Sequence, residues 1–542
     1  MGTRVITDYG TEVCDTGLVA RVTECIDGLR RFRDDRERCK RFTYGDQWID
    51  RIIDNGVSIS EEEYIASQGN IPLKNNLIRR LVRNVLGVCR NRWQLPRCVA
   101  RDAAERSAAD TMNILLDCNA AANRLEEMYA RTMEEFLISG MAVHKKWYGM
   151  RGGRSDCWTD QVSPSRFFFD GSSRDFRGSD VSLVGEVHEM RLEDVCATFA
   201  ATPVEADTLC GLYGTSSAGD EGRMICTVYE VWERRRPMRL HCHDLRCGIW
   251  YKAGRGDEAK VAAENERRRV GGCKALIETR WVVDEEWRYT FMTPAGHVLR
   301  RGTSPYAHGS HPYVFKAYPF IDGEIHSFVS DIIDQQKLTN RLISMYDWIL
   351  RASAKGVLLF PEGSLPDGCD INEVAEEWGR FNGVIVYRPR AGVPVPQQVS
   401  SKSADIGITE LLEIQMKMME DISGVNGALQ GRLDSNSMSG TLYNQQTRNS
   451  LTALADLLKS FDDFMLQCAS VDASNIRNTT AGDASRRLPA TVRRGPLSFR
   501  PTGIFSAHPT TSPLSWEAPP AARTRQTNNE AACTFFSAGR FF

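Results

Sequence analysis

The sequence predicts an α+β protein, because helical and strand patterns occupy separate regions of the chain instead of alternating. Apolar residues recur at helical spacing over roughly the first 140 residues. β-Branched and aromatic runs between Gly, Asp and Ser turns follow over about 141–320. Two amphipathic helices with a short mixed segment between them come next. An alternating βαβ array, which would predict a parallel sheet, is therefore not expected.

Length and composition restrict the class of protein. The 542 residues predict about three structural units. Lys and Arg total 68 against 70 Asp and Glu, so the formal net charge is −2. A net charge near zero argues against a protein that coats nucleic acid, because tight binding to phosphates needs an excess of basic residues. It is compatible with a protein along which nucleic acid slides without being bound tightly. No apolar stretch approaches a membrane span, and the first 17 residues lack the apolar core of a secretory signal. The 16 cysteines are scattered, so we expect reduced thiols and a cytosolic compartment.

The first region predicts two long helical segments. Residues 75–88 place apolar side chains on one face and Arg79, Arg80 and Arg83 on the other, which we interpret as a solvated surface in preference to a nucleic-acid site. Residues 103–139 continue as amphipathic helix. Asn119 interrupts the apolar stripe, which indicates a break or a buried polar contact near it.

The second region predicts strands separated by turns and by a short helix at 192–199. The predicted strands are 141–148, 166–169, 182–188, 225–232 and 279–283.

The third region predicts a pair of helices joined at one end by a small α/β segment. Residues 326–353 form an uninterrupted pattern that spans roughly 40 Å as a helix. Residues 403–422 form the second helix, with Ser403 as a candidate cap and Gly424 as its stop. Between them, strands are expected at 357–360 and 384–387 and a helix at 371–381. A polar loop at 424–440 and a third helix at 441–467 follow.

The last 74 residues differ in composition from the rest. Residues 469–542 contain seven prolines, nine arginines, four acidic residues and no lysine. Too little apolar surface remains to offset chain entropy, so the segment is expected to be disordered. Its excess of arginine is compatible with a nucleic-acid-binding arm, whereas the sudden loss of lysine also fits out-of-frame translation.

Catalytic signatures are missing from the sequence, and no cofactor is expected. The P-loop, G-x-S-x-G, H-E-x-x-H and G-x-G-x-x-G patterns do not occur. Two alternative interpretations stay open. One is a metal-dependent hydrolase or nuclease with an unrecognised carboxylate site. The other is an adaptor stabilised by zinc at His241, Cys242, His243 and Cys247 with Cys273, although this spacing fits no standard zinc finger.

Six segments, in their order along residues 40–467, carry a resemblance to a known family. They are YGDQW at 44–48, NIPLKNNLIRRLVRNVLG at 70–87, FLISGMAVHKKWY at 136–148, VSPSRFFFD at 162–170, YPFIDGEIHSFVSDIIDQQKLTNRL at 318–342 and SGVNGALQG at 423–431. Together they resemble the portal proteins of tailed double-stranded DNA phages, and most closely the large portals of short-tailed and related phages of gut bacteria.

The resemblance implies a non-enzymatic fold that assembles as a ring of about twelve copies at one capsid vertex. It implies a wing over 1–320, helical to about 140 and strand-rich after. Stem helices are implied at 326–353 and 403–422, with a clip at 354–402 between them. The order continues with a channel loop at 424–440 and a wing or crown-base helix at 441–467. A disordered or aberrant tail at 469–542 follows. The family usually continues into a crown, and in some members into a barrel. This chain departs from the family pattern after Gln467, so neither is assigned to it.

The resemblance also implies partners: double-stranded DNA passing through the channel, the terminase large subunit, a head–tail adaptor, and capsid and scaffold proteins. Assembly in the host bacterial cytoplasm and no membrane association are expected. The candidate channel residues are Glu410, Glu413, Lys417, Glu420, Gln430, Arg432, Asp434, Ser435 and Asn436. The candidate terminase-facing residues are Glu362, Asp367, Asp370, Glu373, Glu376 and Glu377. A helix-capping role for Arg432 or Asp434, and a merely solvated surface for the clip acids, stay open.

Overall fold

The chain divides into two compact units in the computed structural model. Unit 1 comprises Met1–Arg38, Leu86–Phe328 and Thr452–Phe542, and unit 2 comprises Cys39–Val85 and Val329–Leu451. The structure describes residues 14–175, 177–213, 224–254, 256–306, 308–355, 357–361, 365, 370–379, 384–389, 392, 394–399, 407–425, 427, 429, 451–482 and 534–536. Residues 39–85 therefore group with residues 329–451.

Among the described helices of the first half, those within 77–92, 106–139 and 192–199 match predicted helical segments, whereas the others were not predicted. The helices of the first half are α1 (Thr16–Gly28), α2 (Arg30–Tyr44), α3 (Glu61–Ser67), α4 (Leu77–Arg92), α5 (Arg106–Asn123), α6 (Leu125–Ser139), α7 (Leu192–Phe199), α8 (Pro203–Leu212) and α9 (Glu258–Val270). A 3-10 turn, Ala103–Glu105, precedes α5.

All five strands predicted for the second region are confirmed within a few residues. The strands of the first 325 residues are β1 (Arg51–Asp54), β2 (Val57–Ser60), β3 (Arg97–Val99), β4 (Met141–Arg151), β5 (Arg154–Gln161), β6 (Phe167–Phe169), β7 (Leu183–Arg191), β8 (Ile225–Arg235), β9 (Met238–Asp244), β10 (Ile249–Ala253), β11 (Ile277–Val283), β12 (Glu286–Met292), β13 (Val298–Thr303), β14 (Tyr313–Ala317), β15 (Phe320–Ile321) and β16 (Glu324–Ile325). The pairings among these strands are antiparallel, which agrees with the predicted α+β class and not with a βαβ array.

Three sheets of three or more strands lie in the described part of unit 1. The largest has the strand order β13-β12-β8-β7-β6, and smaller ones have the orders β14-β4-β5 and β10-β9-β11. The three phenylalanines of β6 are all buried, and they pack with Met141, Trp232 and Tyr313 in one hydrophobic core. Burial on both faces explains why β6 reads as a continuous apolar run instead of alternating.

The long predicted helix at 103–139 is broken one turn after Asn119. Arg124 adopts a left-handed conformation with φ 50° and separates α5 from α6. Asn119 is itself buried and its side-chain oxygen accepts a 2.9 Å hydrogen bond from Asn123. Asn123 also donates to the carbonyl of Cys157 and accepts from the amide of Thr159, so it fastens the break to β5.

The last long helix, α13 (Ala455–Gly482), corrects the predicted start of the tail. Residues 469–482 are helical, so the expected disorder from 469 is wrong there. Leu454, Leu458, Phe461 and Phe464 are buried, which confirms the predicted apolar face. Farther along the helix, Asn475 is buried and Ile476 joins a core cluster with Met112 and Cys157. Beyond α13, β19 (Thr534–Phe536) pairs with β3.

A buried ion pair anchors the part of α13 that composition had assigned to the tail. Lys146 Nζ of β4 lies 2.7 Å from Asp472 Oδ2 and donates to Thr159 Oγ1 at 2.9 Å. Lys146 is fully buried, and Asp472 nearly so. Because an isolated buried ammonium is strongly unfavourable, this pair couples the helix to the sheet.

The stability of unit 1 is expected to fall as the pH drops below about 6.5. Burial, together with the charge of Lys146, holds the pKa of His144 well below its usual value, and burial lowers the pKa of His308 to about 4 and of His311 to about 3. The unfolded chain then binds protons that the folded chain does not, which costs up to about 1.4 kcal/mol per pH unit for each histidine. Urea denaturation between pH 7 and 5 measures this slope. His144→Phe should reduce it, and an unchanged slope would contradict the assignment.

Unit 2 contains the helix pair and the small segment between its helices. A 3-10 turn, Ser330–Ile332, leads into α10 (Ile333–Lys355), so the helix begins later than predicted at 326. The elements that follow are β17 (Val357–Leu359), α11 (Ile371–Gly379), β18 (Gln397–Val399) and α12 (Ile408–Ser423). Gly424, with φ 69°, ends α12 as predicted, whereas Ser403 lies outside the described residues.

The second strand of the predicted clip is placed wrongly by the sequence. β17 pairs with β18, in the register Val357–Val399 to Leu359–Gln397, instead of with 384–387. Residues 384–387 have no regular structure, and Val384 and Val386 are more than 70% exposed. A run of β-branched residues forms a strand only where a neighbouring strand pairs with it.

Candidate functional site

A buried network of amide side chains joins the start of α10 to the start of α4. Gln336 Oε1 accepts from the backbone N–H of Leu77 at 3.0 Å and of Ile78 at 3.3 Å. Its Nε2 donates to the carbonyl of Asn75 at 2.6 Å and to Asn340 Oδ1 at 2.9 Å. Since the first N–H groups of a helix have no partner within it, Gln336 serves as the cap of α4.

Asn340 extends this network toward the end of α2. Its Oδ1 accepts from the Asn75 amide at 3.1 Å and its Nδ2 donates to Gln47 Oε1 at 2.7 Å. Gln47 in turn donates to the carbonyl of Phe42 at 3.0 Å. One turn beyond Asn340, Ser344 Oγ accepts from the Leu73 amide. Gln336, Asn340 and Gln47 are at most 1% exposed, so this polar face is interior.

An ion-pair cluster lies beside the network. Lys337 Nζ is 2.6 Å from Asp50 Oδ2 and 3.1 Å from Glu61 Oε1, and Arg341 Nη2 is 2.7 Å from the same Glu61 oxygen. Glu61 is the first residue of α3, where a carboxylate is also favoured by the helix dipole. The N-terminal half of α10 is therefore held by both amides and charges.

The helix α12 presents three different faces around its axis. Ile408 and Met419 are buried and share one face, and α12 is in contact with α10. Glu410, Glu413 and Lys417 are exposed and lie together on a second face. The third face is apolar yet 45–49% exposed, and consists of Leu411, Ile414, Met418 and Ile422. At 100° per residue, the apolar and charged faces are about a third of a turn apart.

α10 carries a matching exposed apolar face. Leu338, Met345 and Trp348 recur at helical spacing and are 41%, 54% and 53% exposed. We call these residues, with the four exposed apolar residues of α12, the apolar stripes. Exposed apolar stripes of this length on packed helices are typical of a surface that contacts another protein.

Comparison with protein families gives a match that includes the residues of the helix pair. A family model described as phage P22-like portal protein matches residues 19–483, which is most of the chain. The chain belongs to the P22-like phage portal protein family. A comparison with curated proteins gave no match.

Membership of this portal family confirms the resemblance seen in the sequence. Portal proteins are structural components of the virion at a capsid vertex. The match ends one residue after the last residue of α13. Among the described helices, none is long and apolar enough to cross a bilayer.

The amide network explains several residues of the portal-like segments that the sequence alone left without a role. Gln47, Asn75, Gln336 and Asn340 lie in three different segments and meet in one hydrogen-bonded cluster. Sequence reasoning missed them because it followed apolar spacing. The available signal was polar: Gln336, Asn340 and Ser344 recur every four residues and mark one helix face.

Among the candidate channel residues, only those of α12 fall within the described part of the chain. Glu410, Glu413 and Lys417 are exposed, whereas Glu420 is half-buried and its carboxylate lies 4.0 Å from the Arg80 guanidinium. Arg79 lies over the Tyr44 ring, so two arginines of the α4 basic face have intramolecular partners. The loop candidates Gln430, Arg432, Asp434, Ser435 and Asn436 lie outside the described residues.

The candidate clip acids gather around the start of α11. The carbonyl of Asp370 accepts from the amides of Glu373 and Val374. Asp370, Glu373 and Glu376 are exposed, and Glu377 is half-buried. Glu362 and Asp367 lie outside the described residues. The described acids thus form a compact negative surface on a short helix.

The proposed zinc cluster does not converge in the described structure. His241 Nε2 bonds to Asp284 at 2.8 Å, and His243 stacks on Trp250 with ring centroids 4.1 Å apart. Cys242, between them on β9, is buried on the opposite face of the strand. The residues are therefore engaged in a sheet, in which a turn after Asp244 joins β9 to β10.

Metal-ligating atoms do converge elsewhere among the described residues, at Glu186, His188 and Glu230. His188 Nε2 lies 2.7 Å from Glu230 Oε2, and Lys145 forms an ion pair with the same carboxylate. Burial raises the pKa of Glu186; for Glu230 burial is outweighed by Lys145 and His188, which hold its pKa below the usual value. The Lys145 ammonium occupies the cation position, so this cluster is a buried ion-pair site.

Proposed function

We propose that this portal protein forms the ring at one capsid vertex through which double-stranded DNA is packaged and later ejected. The observation that carries the proposal is the juxtaposition on α12 of an exposed apolar face with an exposed charged face. A ring of identical copies, about twelve as in the resemblance, needs an apolar face for the neighbour and a polar face for the channel. In this proposal α10 and α12 are the stem helices, and residues 354–402 are the clip.

The charge of the channel face suits passage of DNA better than binding. Glu410, Glu413 and Lys417 give each copy a mildly negative face, and a ring repeats it as a closed band. Tight DNA binding arises when basic groups displace counterions from phosphates, so a mildly acidic band disfavours it. We propose Glu410, Glu413, Lys417 and Glu420 as channel residues, and we keep the loop candidates Gln430, Arg432, Asp434, Ser435 and Asn436 in the same proposal.

Ring assembly is expected to depend on the apolar stripes. Leu411→Asp combined with Met418→Asp should shift the purified protein from rings to monomers, because both side chains are about half exposed in the single chain and would be buried between copies. Size-exclusion chromatography with light scattering measures the change. Glu410→Gln with Glu413→Gln, on the neighbouring face, is the matched control and should still assemble. Equal assembly by both variants would contradict the role of the stripes.

The clip is proposed to bind the terminase large subunit during packaging and a head–tail adaptor afterwards. The wing is proposed to contact capsid and scaffold proteins. Assembly of the virion is proposed to take place in the host bacterial cytoplasm. Glu373, Glu376 and Glu377 give α11 the negative surface for such docking. Binding of this kind depends on charge complementarity and weakens with salt.

Reversing these three clip acids to lysine should impair DNA packaging and leave rings intact. The reversal changes the sign of a surface that we expect to meet a basic partner, at positions that are exposed or half-buried and therefore tolerant. Packaged DNA per capsid is the measurement. The same charge change at exposed Glu62, Asp110 and Glu266 is the control. Normal packaging by the clip variant would contradict the docking role.

A further inference from the structure

Two cysteines of unit 1 lie in contact on neighbouring helices, at the edge of a small hydrophobic core. Cys196 is on α7 and Cys210 is on α8, and their Sγ atoms are 4.0 Å apart. Both are half-buried and pack against a core that also contains Leu209 of α8 and Val228 of β8. The proposed function leaves this pair of thiols without a role.

The separation of the two sulfur atoms is close to that of a disulfide. An S–S bond is about 2.05 Å long, so the two residues are thiols in this structure. The sulfurs would have to approach by about 2 Å to form the bond. Rotation about χ1 of either cysteine, with a small shift of α8, can supply a movement of this size.

The helix α8 is held less firmly than α7, so a small shift of it is possible. Three residues of α7 are buried, whereas Leu209 is the buried residue of α8. Arg300 also fastens α7, by donating to the carbonyl of Thr198 at 2.6 Å. Elements with few buried apolar contacts open locally at low cost in free energy. A covalent link to α7 would therefore restrict the opening of α8.

We propose that Cys196 and Cys210 form a disulfide that fixes α8 to α7, by exchange with a small disulfide such as oxidised glutathione. The thiolate of one cysteine attacks oxidised glutathione, which forms a mixed disulfide and expels one glutathione thiolate. The other cysteine then attacks the protein sulfur of the mixed disulfide and expels the second glutathione. The two thiol protons pass through water to the expelled glutathiones. One protein disulfide and two reduced glutathiones are the products.

The redox compartment is expected to decide the state of the pair. Thiols stay reduced in the cytosol, whereas disulfides persist at virion surfaces. Burial and the hydrogen bond with Cys210 raise the pKa of Cys196 to about 11, so exchange is expected to be slow at neutral pH. We therefore expect thiols before release of the virion and the disulfide in released particles. This timing rests on the proposed assembly in the host cytoplasm, whereas the exchange reaction does not.

Peptide mapping of the purified full-length protein, after incubation with oxidised glutathione at about pH 8.5, tests the bond. Trypsin cleaves after Arg191 and Arg223, so both cysteines lie in the peptide 192–223 and Cys226 lies in the next one. Once the remaining thiols are alkylated, peptide 192–223 should carry no alkyl group and be lighter than the reduced peptide by two hydrogen atoms. An alkylated peptide 192–223, or one linked to the peptide of Cys226, overturns the proposal.

Hydrogen exchange of the α8 amides tests whether the bond fixes this helix. Oxidation should slow their exchange about tenfold in the unmodified sequence and have no effect in Cys196→Ser or Cys210→Ser. Both cysteines are half-buried, so these variants are expected to fold. Cys247→Ser, at an exposed cysteine after β9, is the matched control and should respond like the unmodified sequence. Formation of the bond without slower exchange in α8 overturns its fixing role.

The same peptide from infected cells and from released particles, alkylated at harvest, tests the timing. Two alkylated cysteines are expected in the cells and the disulfide in the particles. Alkylated cysteines in released particles would contradict the timing. Failure of the protein to form rings would count against the proposed function, while mapping of the purified protein would still report on the bond.

Discussion

Gln336→Leu is expected to destabilise unit 2 by about 4 kcal/mol. The substitution removes the acceptor of the Leu77 and Ile78 amides and the donor to the Asn75 carbonyl, all at the buried start of α4. Each buried group left without a partner costs about 1–3 kcal/mol. Urea denaturation followed by tryptophan fluorescence, together with hydrogen exchange of the Leu77 and Ile78 amides, measures the loss.

The neighbouring residue Gln335 provides the matched control for this prediction. Gln335→Leu makes the same chemical change one position earlier, on a half-buried side chain outside the network. A change within about 0.5 kcal/mol is expected, as for most substitutions away from buried contacts. If the two variants lose the same stability, the network does not hold α4.

Truncation within α13 is expected to have a larger effect than truncation after it. Deleting 469–542 removes Asp472 and Ile476 and leaves the fully buried Lys146 without its counterion, which alone costs about 3–5 kcal/mol. Deleting 484–542 keeps all of α13. The first deletion should unfold unit 1 or make it insoluble, and the second should retain its cooperative melting transition in calorimetry. Composition alone would have predicted little effect from either deletion.

The buried pair can be tested without truncation. Asp472→Leu should destabilise unit 1 by about 3–5 kcal/mol, because the Lys146 charge stays buried. Combining it with Lys146→Met replaces both charges by apolar groups and should recover most of the loss. Additive losses in the double variant would show that the two side chains do not act as a pair.

Elements with a strong apolar period could be predicted from the sequence. The helix at 192–199 was predicted at its observed bounds, and the strands near 141, 183 and 225 within a few residues. Their apolar side chains pack in the cores of unit 1, so period and burial agree. The helix stop at Gly424 was predictable for a local reason, since a glycine readily adopts the left-handed cap.

The features that depend on distant partners could not be predicted. The extent of α13 was hidden because residues 469–482 are rich in Ala, Ser, Asn and Thr. Contacts with distant residues explain its burial, such as Asp472 with Lys146 and Ile476 with Met112. The grouping of 39–85 with α10 depends on amide contacts such as Gln47 with Asn340. The strand β18 is polar and forms because β17 pairs with it. Tertiary contacts decided each of these.

The helix pair α10 and α12 has one feature that the sequence predicts and one that it does not. Its existence followed from periodicity, but the apolar face assigned to α10 is only partly buried. Ile332 is buried, whereas Leu338 and Met345 are 41% and 54% exposed and the polar face with Gln336 is interior. An apolar face left open in the single chain is the expected result if a neighbouring copy covers it.

Electron microscopy of the purified full-length protein tests the central claim most directly. The ring proposal predicts closed rings with a central hole wide enough for duplex DNA, with α10 and α12 around the hole and the Glu410 face of α12 toward it. Particles without a hole, or rings in which α12 lies at the outer rim, would contradict it.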